Sequence, residues 1–512
     1  MNKKLGLILI FALILRMPLL NGSFWMDEAA QALEVIRPLS QQLDIIADFQ
    51  PPLLHLILHF AQYFSYSESW LRLIGALIPG LITILFTYKI ANQLFGKKTA
   101  TLAALFLTTS AFHIFYSQEL RPYSLATMFA LMSMYFYFMF LQKKSSEESL
   151  SEEKLKLKKE DRKSKEQNFG LKLSIANLLG LYSSYLFPFL MIGQLFYALG
   201  NNSKQLPKYL KSQLIPILGF LPWLPTFFRQ LSAGEMVRSD LPGWDQVVSL
   251  TPLKAIPLVV AKFIFGNLDV EPNLFFIIFG ALIIIPILIL LFSKFKKLAH
   301  QEKYNLLFIL AWLILPLLTS WLVSFYVPVV GAKRLLFLLP AFYILVAYLI
   351  NNFLKNTKKI HFALAITLII AIFSINLIST ISYYTNPLMQ RENWKGLYQE
   401  VSETYSPASS IFIYSFDNEF APMKWYNTKN YPSISTGKLS ISKVGDLANT
   451  LKRVVEYENV LVFDYLRDLS DPDKKIEKEL TNFGFKEVGV LDYPNIGFVR
   501  IFTKPHLLIG EI

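Results

Sequence analysis

The chain has 512 residues, 53% of them hydrophobic and 15% aromatic against only 17% charged, with a mean hydropathy of +0.39. That balance excludes an ordinary water-soluble globular protein and indicates a multi-pass membrane protein. The net charge of +13 is not a nucleic-acid signal, because Lys and Arg fall in short connections after alternate apolar runs; the lack of cysteine excludes disulfides, thiolate metal sites and a cysteine nucleophile.

Lys3 and Lys4 precede the first apolar run, which lacks a small-x-small cleavage site and therefore reads as a retained helix. Arg16 interrupts it near its outer end, placed either to snorkel or to pair with the acidic loop beyond. That loop begins Asn21-Gly22-Ser23, a glycosylation sequon by pattern, and continues Phe24-Trp25-Met26-Asp27-Glu28. Adjacent carboxylates at a membrane face suit removal of a proton from a hydroxyl, one acting and the other orienting or tuning it. The competing reading is a polar loop that merely ends a helix.

Residues 22–69 make a first external loop long enough for short helices lying on the membrane. Gln50-Pro51-Pro52 breaks the chain before an apolar run over 53–64 that is too short to span. His55 and His59 share one face of it, but with no third ligand nearby this predicts an interfacial helix rather than a metal site.

Spans are predicted to begin near Leu5, Trp70, Thr101, Pro122, Leu171, Phe187, Leu214, Leu274, Leu306, Leu335 and Phe362, about eleven in all. Basic connections at Lys97 and Lys98, at 143–165, at Lys204, Lys208 and Lys211, at Lys294, Lys296 and Lys297, and at Lys355, Lys358 and Lys359 place those loops and the N-terminus in the cytoplasm. The Lys/Glu stretch at 143–168 reads as a charged cytoplasmic insertion, solvated or disordered.

The second external loop is short: Tyr116-Ser117-Gln118-Glu119-Leu120-Arg121-Pro122-Tyr123. An acid and a guanidinium so close to hydrocarbon are costly unless used or paired; the bland reading is a Glu119–Arg121 ion pair closing the turn. Lys333 and Arg334 form a further outer cluster against the positive-inside bias, suited to an anionic headgroup or to snorkelling toward lipid phosphates. Carboxylates and cations around one external, lipid-bordered cavity suit a substrate with a phosphate head and a hydrocarbon tail.

Residues 1–381 thus form the membrane domain and residues 382–512 an extracytoplasmic α/β domain. In the latter, strand patterns at 411–414, 460–464, 486–491 and 497–502 alternate with helix patterns at 394–404, 417–426, 444–457 and 473–483. No glycine-rich phosphate loop occurs in it.

Trp25-Met26-Asp27-Glu28, Gln50-Pro51-Pro52-Leu53, Glu68-Ser69-Trp70-Leu71-Arg72 and Tyr116 to Tyr123 together resemble the GT-C glycosyltransferases, above all the protein O-mannosyltransferases and the lipid A aminoarabinose transferases. The resemblance is clearest over residues 1–130 and weaker through Gly219-Phe220-Leu221-Pro222-Trp223 and Lys333-Arg334. It implies an enzyme of the cell membrane that takes a sugar from a polyprenyl-phosphate donor and passes it, with inversion, to an extracytoplasmic protein, lipid or glycan. Carried over by position, Asp27 is the general base, Glu28 its acidic neighbour, Glu119 an acid holding acceptor or donor, and Arg121, Lys333 and Arg334 face the carrier phosphate. Gln50, Tyr116, Gln118 and Tyr123 are candidate substrate contacts. No cofactor is required, although a divalent cation on the acidic pair is compatible. One departure is Leu181-Tyr182-Ser183-Ser184-Tyr185, where many relatives have a histidine after an aromatic residue. The rivals are a lipid-linked oligosaccharide ligase or polymerase, and a transporter, which predicts inverted repeats that the sequence lacks.

Overall fold

A computed structural model describes residues 3–141, 152–201, 205–244, 249–268, 277–278, 280–281, 283–288, 298–355 and 359–504. Among these, six helices are long and apolar enough to cross a membrane: Glu68–Phe95, Tyr123–Leu141, Leu206–Asp240, His300–Val323, Leu336–Leu354 and Lys359–Thr385. These match the runs predicted from Trp70, Pro122, Leu214, Leu306, Leu335 and Phe362, and the full expectation of about eleven is not reached among the described residues. The run beginning at Leu5 gives a helix of only 12 residues, Lys3–Ile14. The run beginning at Thr101 is split at Ser110, whose hydroxyl accepts the His113 N–H and caps a new short helix, Ala111–Tyr116. Phe187–Gly200 is apolar but short, and most of the span predicted from Leu274 lies outside the described residues, as do residues 142–151 of the charged insertion.

The first loop carries the short helices Met26–Val35 and Leu53–Ala61, the second ending three residues before the predicted apolar run does. Next comes Glu68–Phe95, which contains one π-helical turn, Leu73–Leu77. Such a turn admits one extra residue and rotates the preceding segment, which here carries Arg72. Close packing fixes this region: a Cβ built on Gly75 would meet the side chains of Leu120, Leu54 and Leu58 at 3.1–3.2 Å. Leu206–Asp240 stays continuous because Pro222 and Pro225 fall in the first turns of its successive segments, where a missing N–H costs little.

A buried polar knot joins four helices of the bundle. Ser133 donates to Asn177 Oδ1 at 2.5 Å, Asn177 Nδ2 donates to Gln213 at 2.7 Å, and Gln194 Nε2 donates to Ser133 at 2.7 Å. In hydrocarbon such bonds hold helices in register because each group otherwise lacks a partner.

The C-terminal sheet has five strands, β1 (Ser410–Tyr414), β2 (Ser433–Ser435), β3 (Asn459–Phe463), β4 (Lys486–Tyr493) and β5 (Gly497–Thr503), in the order β2-β1-β3-β5-β4. β1 runs parallel to β2 and β3, whereas β5 is antiparallel to both β3 and β4. Strand β1 is buried throughout, as a central parallel strand covered on both faces must be. Ile411 and Ile413 face a core completed by Leu451, Ile476 and Leu480, while Phe412 and Tyr414 belong to the large cluster that continues through Trp394 into the bundle. The four predicted strands are present within two residues of their ends, and β2, only three residues long, is additional. The helix predicted over 444–457 is two short turns instead, Leu447–Leu451 and the 3-10 segment Lys452–Glu456.

At Gly80 a Cβ would lie 2.4 Å from Ser117 Oγ, so the helix Ile78–Phe95 can touch the 116–123 loop only without a side chain there. Gly80→Val is expected to destabilise the protein by about 1–3 kcal/mol. Thermal unfolding in detergent measures this, and an unchanged midpoint would show that the contact is not tight.

Candidate functional site

Asp27 and Glu28 occupy the first turn of Met26–Val35, where negative charge suits the helix N-terminus. Successive helical residues point about 100° apart, so one helix sends the two carboxylates to different places. Glu28 is fully buried: it accepts Arg72 Nε at 2.9 Å and Nη2 at 2.5 Å, and the Leu120 N–H at 2.6 Å. Arg391 Nε lies 3.9 Å away. Burial alone would raise the Glu28 pKa, but Arg72 foremost, with Arg391 and the Leu120 N–H, offsets this and holds it below the ordinary carboxylate value. Arg72 donates besides to the carbonyls of Leu20, Gly22 and Ser23, and packs over the Phe24 ring. The Asp27 side chain, by contrast, is 40% exposed, and its Oδ2 stands 3.9 Å from Arg121 Nε.

The second loop also separates its charges, and no Glu119–Arg121 pair closes the turn. Glu119 is buried, with Oε2 3.5 Å from Arg391 Nη2 and Oε1 without a hydrogen-bond partner among the described residues. Burial pushes its pKa up; Glu28 and Asp27 add to this, while Arg391 and Lys333 oppose it. Arg121 turns to Asp48, with Nη1 2.8 Å from Oδ1, and also reaches the Asp27 carbonyl at 3.4 Å.

Asp48 is bonded on its other oxygen by His55 Nε2 at 2.7 Å and by the Gln50 amide. Burial would raise its pKa, but Arg121 and His55 bring it down to about 2. Gln50 further donates to Gln31 Oε1 at 2.6 Å, so it is a strut of the first loop. The imidazole of His59 meets the Val35 carbonyl at 2.9 Å and Gln62 at 3.0 Å. Among the described residues no three His, Asp or Glu side chains converge as metal ligands would.

Lys333 extends its ammonium over Trp25 at 5.6 Å and Tyr123 at 5.7 Å, and no carboxylate among the described residues forms an ion pair with it. Tyr123 foremost, then Glu119 and Asp27, raise its pKa against the effect of burial. Arg334 instead donates to the carbonyls of Pro328 at 2.9 Å and Val329 at 3.3 Å, and so braces its own loop. Tyr116 and Tyr123 stand edge to face, their ring centres 5.4 Å apart. Gln118 donates to the carbonyls of Arg16 at 2.8 Å and of Pro18. Arg16 neither snorkels nor meets the acidic loop, because its guanidinium is buried on the carbonyls of Ala12, Leu107 and Thr108 and on His113 Nδ1 at 2.7 Å.

At Leu181–Tyr185, the stretch where the resemblance implied a histidine, the Tyr185 hydroxyl donates to Gln230 and accepts the Trp223 N–H at 2.8 Å. Gln230 continues to the carbonyls of Ile45 and Gln50, so this wall backs the loop that carries Asp48. Just below lies an apolar groove of about 390 Å³, lined among others by Leu181, Met191, Leu195, Ile217, Leu221 and Leu224.

Sequence reasoning missed four charged residues of this cluster: Asp48, Arg72, Arg391 and Glu392. Arg72 lay inside a quoted motif, and Asp48 two residues before Gln50. Arg391 and Glu392 stand just after the last apolar run, where charge at the end of a hydrophobic segment is the signal that could have found them.

Residues 49–150 match the family model of dolichyl-phosphate-mannose-protein mannosyltransferases. Across the whole chain the structure is similar to ArnT from Cupriavidus metallidurans bound to undecaprenyl phosphate, with TM-score 0.57 and 9% identity over 100% of this chain and 99% of that one. It is similar also to the oligosaccharyltransferase AglB from Archaeoglobus fulgidus in complex with an inhibitory peptide and a dolichol-phosphate, with TM-score 0.54 and 12% identity over 97% and 74% of the two chains. No curated protein sequence matches significantly. The fold is that of the GT-C glycosyltransferases.

Removing one partner of a buried ion pair leaves the other charge uncompensated, so Arg72→Ala should cost about 3–5 kcal/mol. Glu28→Gln in that background should recover part of the loss, since it removes the stranded charge. Thermal unfolding of the single and double variants in detergent checks both, and equal midpoints for the two would show that Glu28 does not carry the cost.

Proposed function

We propose that the protein is an integral membrane glycosyltransferase that moves a hexose or pentose from a polyprenyl-phosphate carrier to a hydroxyl of an extracytoplasmic acceptor, with inversion. Two groups in the charged cluster carry this reading: Asp27, part-exposed and only loosely approached by Arg121, and Lys333, whose ammonium lies over aromatic rings with no ion-pairing carboxylate among the described residues. They are close, because Lys333 rests on Trp25, two residues before Asp27. Glu28, Arg72, Arg121 and Arg334 all have close protein partners.

In the reaction, the acceptor oxygen bonds to the anomeric carbon as the bond from that carbon to the phosphate oxygen breaks. The electron pair leaves on the polyprenyl phosphate, and the acceptor proton passes to Asp27. Negative charge grows on the departing phosphate, so a fixed cation there stabilises the transition state more than the ground state. Lys333 fills that role, with Arg121 behind it and Arg334 fixing the loop. Glu119, whose Oε1 is free of hydrogen bonds among the described residues, holds a substrate hydroxyl.

The sugar arrives already activated, and the reading needs no resident cofactor. The apolar groove lined by Leu181, Ile217, Leu221 and Leu224 is of ligand size and suits part of the carrier chain. Likeness to structures that hold undecaprenyl phosphate or dolichol-phosphate supports a polyprenyl carrier. The basic connections support a cytoplasmic N-terminus, with the site and the C-terminal domain on the outer face. A ligase of larger glycans shares this site; the mass added to the acceptor, read by mass spectrometry of surface glycans with and without the protein, separates the two.

Asp27→Asn is expected to lower sugar transfer by about 10²- to 10⁴-fold, the usual worth of a positioned base, in membranes supplied with polyprenyl-phosphate sugar. Normal turnover by well-expressed Asp27→Asn protein would sink the base assignment. Lys333→Ala should raise the donor KM and lower kcat, whereas Lys333→Arg should restore much of both. Unchanged donor kinetics in Lys333→Ala would remove it from the phosphate.

A further inference from the structure

The segment leading into the Asp27 helix is gripped by the C-terminal domain and its linker at three points within four residues. The Lys395 N–H donates to Ser23 Oγ at 3.0 Å, the Phe24 N–H donates to the Tyr426 hydroxyl at 2.8 Å, and the Met26 N–H donates to Glu392 Oε2 at 3.1 Å. Met26 opens the helix, and its N-cap residue Trp25 supplies no side-chain bond, so Glu392 does the capping from a distant part of the chain. Glu392 is itself fixed by two aromatic groups of the domain. Trp394 Nε1 donates to Oε2 at 2.5 Å, and the Tyr465 hydroxyl, just after β3, donates to Oε1 at 2.8 Å. Tyr426 is anchored in turn on Glu68, as is Lys395.

We propose that Glu392 is a positioning residue for the transfer reaction, the point at which the C-terminal domain sets the start of the Met26–Val35 helix and with it the direction of Asp27. Asp27 is the second residue of that helix, so a shift of its first turn moves the carboxylate directly. Glu28, one residue on, is clamped by Arg72. The two clamps together leave the turn no free rotation. The domain is then a wall of the site and does not merely hang from the bundle. The inference rests on the reading of Asp27 as the base.

Burial pushes the Glu392 carboxyl up to about 7, with the charge of Asp27 adding to the rise and the donors of Trp394, Tyr465 and Met26 opposing it. Arg391, the next residue, faces Glu28 and Glu119 instead. Because the folded pKa lies above the ordinary 4.5, the fold favours the protonated carboxyl. Its contribution to stability is complete below about pH 4.5 and is lost as pH rises through about 7.

The test uses the full-length protein in membranes and in detergent. Glu392→Ala should lower kcat roughly 10- to 100-fold, the cost of about 1 Å of misplacement, while leaving the donor KM within about twofold, because no donor group is touched. Glu392→Gln keeps an oxygen for Met26 and Trp394 and should recover most of kcat. It should also lose the part of the fall in thermal midpoint between pH 5 and 8 that Glu392 contributes. Wild-type kcat in Glu392→Ala, or equal losses in the Ala and Gln variants, would overturn the proposal. Should Glu392→Ala fail to fold, Tyr465→Phe decides: a fall in kcat at constant KM supports the proposal, and wild-type kcat overturns it. Asp27→Asn is measured alongside. Full activity there defeats the base reading itself, whereas an inactive Asp27→Asn beside a normal Glu392→Ala defeats only the positioning role.

Discussion

The site is organised by one buried ion pair, Glu28 with Arg72. Arg72 collects the carbonyls of Leu20, Gly22 and Ser23, and Glu28 takes the Leu120 N–H and lies near Arg391. Two loops, the start of a long membrane helix and the linker to the C-terminal domain therefore meet at one carboxylate. A buried pair returns little net stability, because desolvation consumes much of the Coulomb gain. What it supplies is geometry, since neither group can leave without stranding the other.

The same economy explains how neighbouring charges come to differ. Glu119 and Arg121 are two residues apart, yet one faces Arg391 and the other Asp48. Each cation has chosen the acid that completes its hydrogen bonds rather than the one nearest in sequence. Once those pairs are made, an accessible carboxylate remains at Asp27 and an ammonium against rings at Lys333. Electrostatic preorganisation has this form: most charges are used to fix the frame, so the remaining ones need not reorganise during the reaction.

The C-terminal domain shares this frame. Its sheet turns Phe412, Tyr414 and Phe463, together with Leu461, Val499 and Ile501, toward Trp394 and the bundle, and Ile411, Ile413, Val460 and Phe502 toward its own helices. The aromatic face ends at Tyr465, which reaches Glu392 beside the Asp27 helix. Packing and hydrogen bonding thus converge on the residue where the linker leaves the last membrane helix.

Much of this was legible in the chain itself. Hydropathy gives a multi-pass membrane protein, alternation of pattern gives the C-terminal α/β domain, and the ordered motifs around Asp27, Glu68 and Glu119 give the fold type. These rest on local periodicity and spacing, which a sequence carries directly. The break at Ser110 and the π-helical turn at Leu73–Leu77 were not visible, because a cap and a π-helical turn alter a helix without altering its apolarity. The partners of each charge were not visible either. Asp48, Arg72, Arg391 and Glu392 lie 20 to 365 residues from Asp27 or Glu28 and come together only when the loops close over the bundle. Residue types fixed which chemistries the charged cluster can hold; tertiary structure alone decided that Glu28 is bound into the frame while the Asp27 carboxylate stays accessible, because a helix turn separates adjacent side chains and only packing determines which of them a cation clamps.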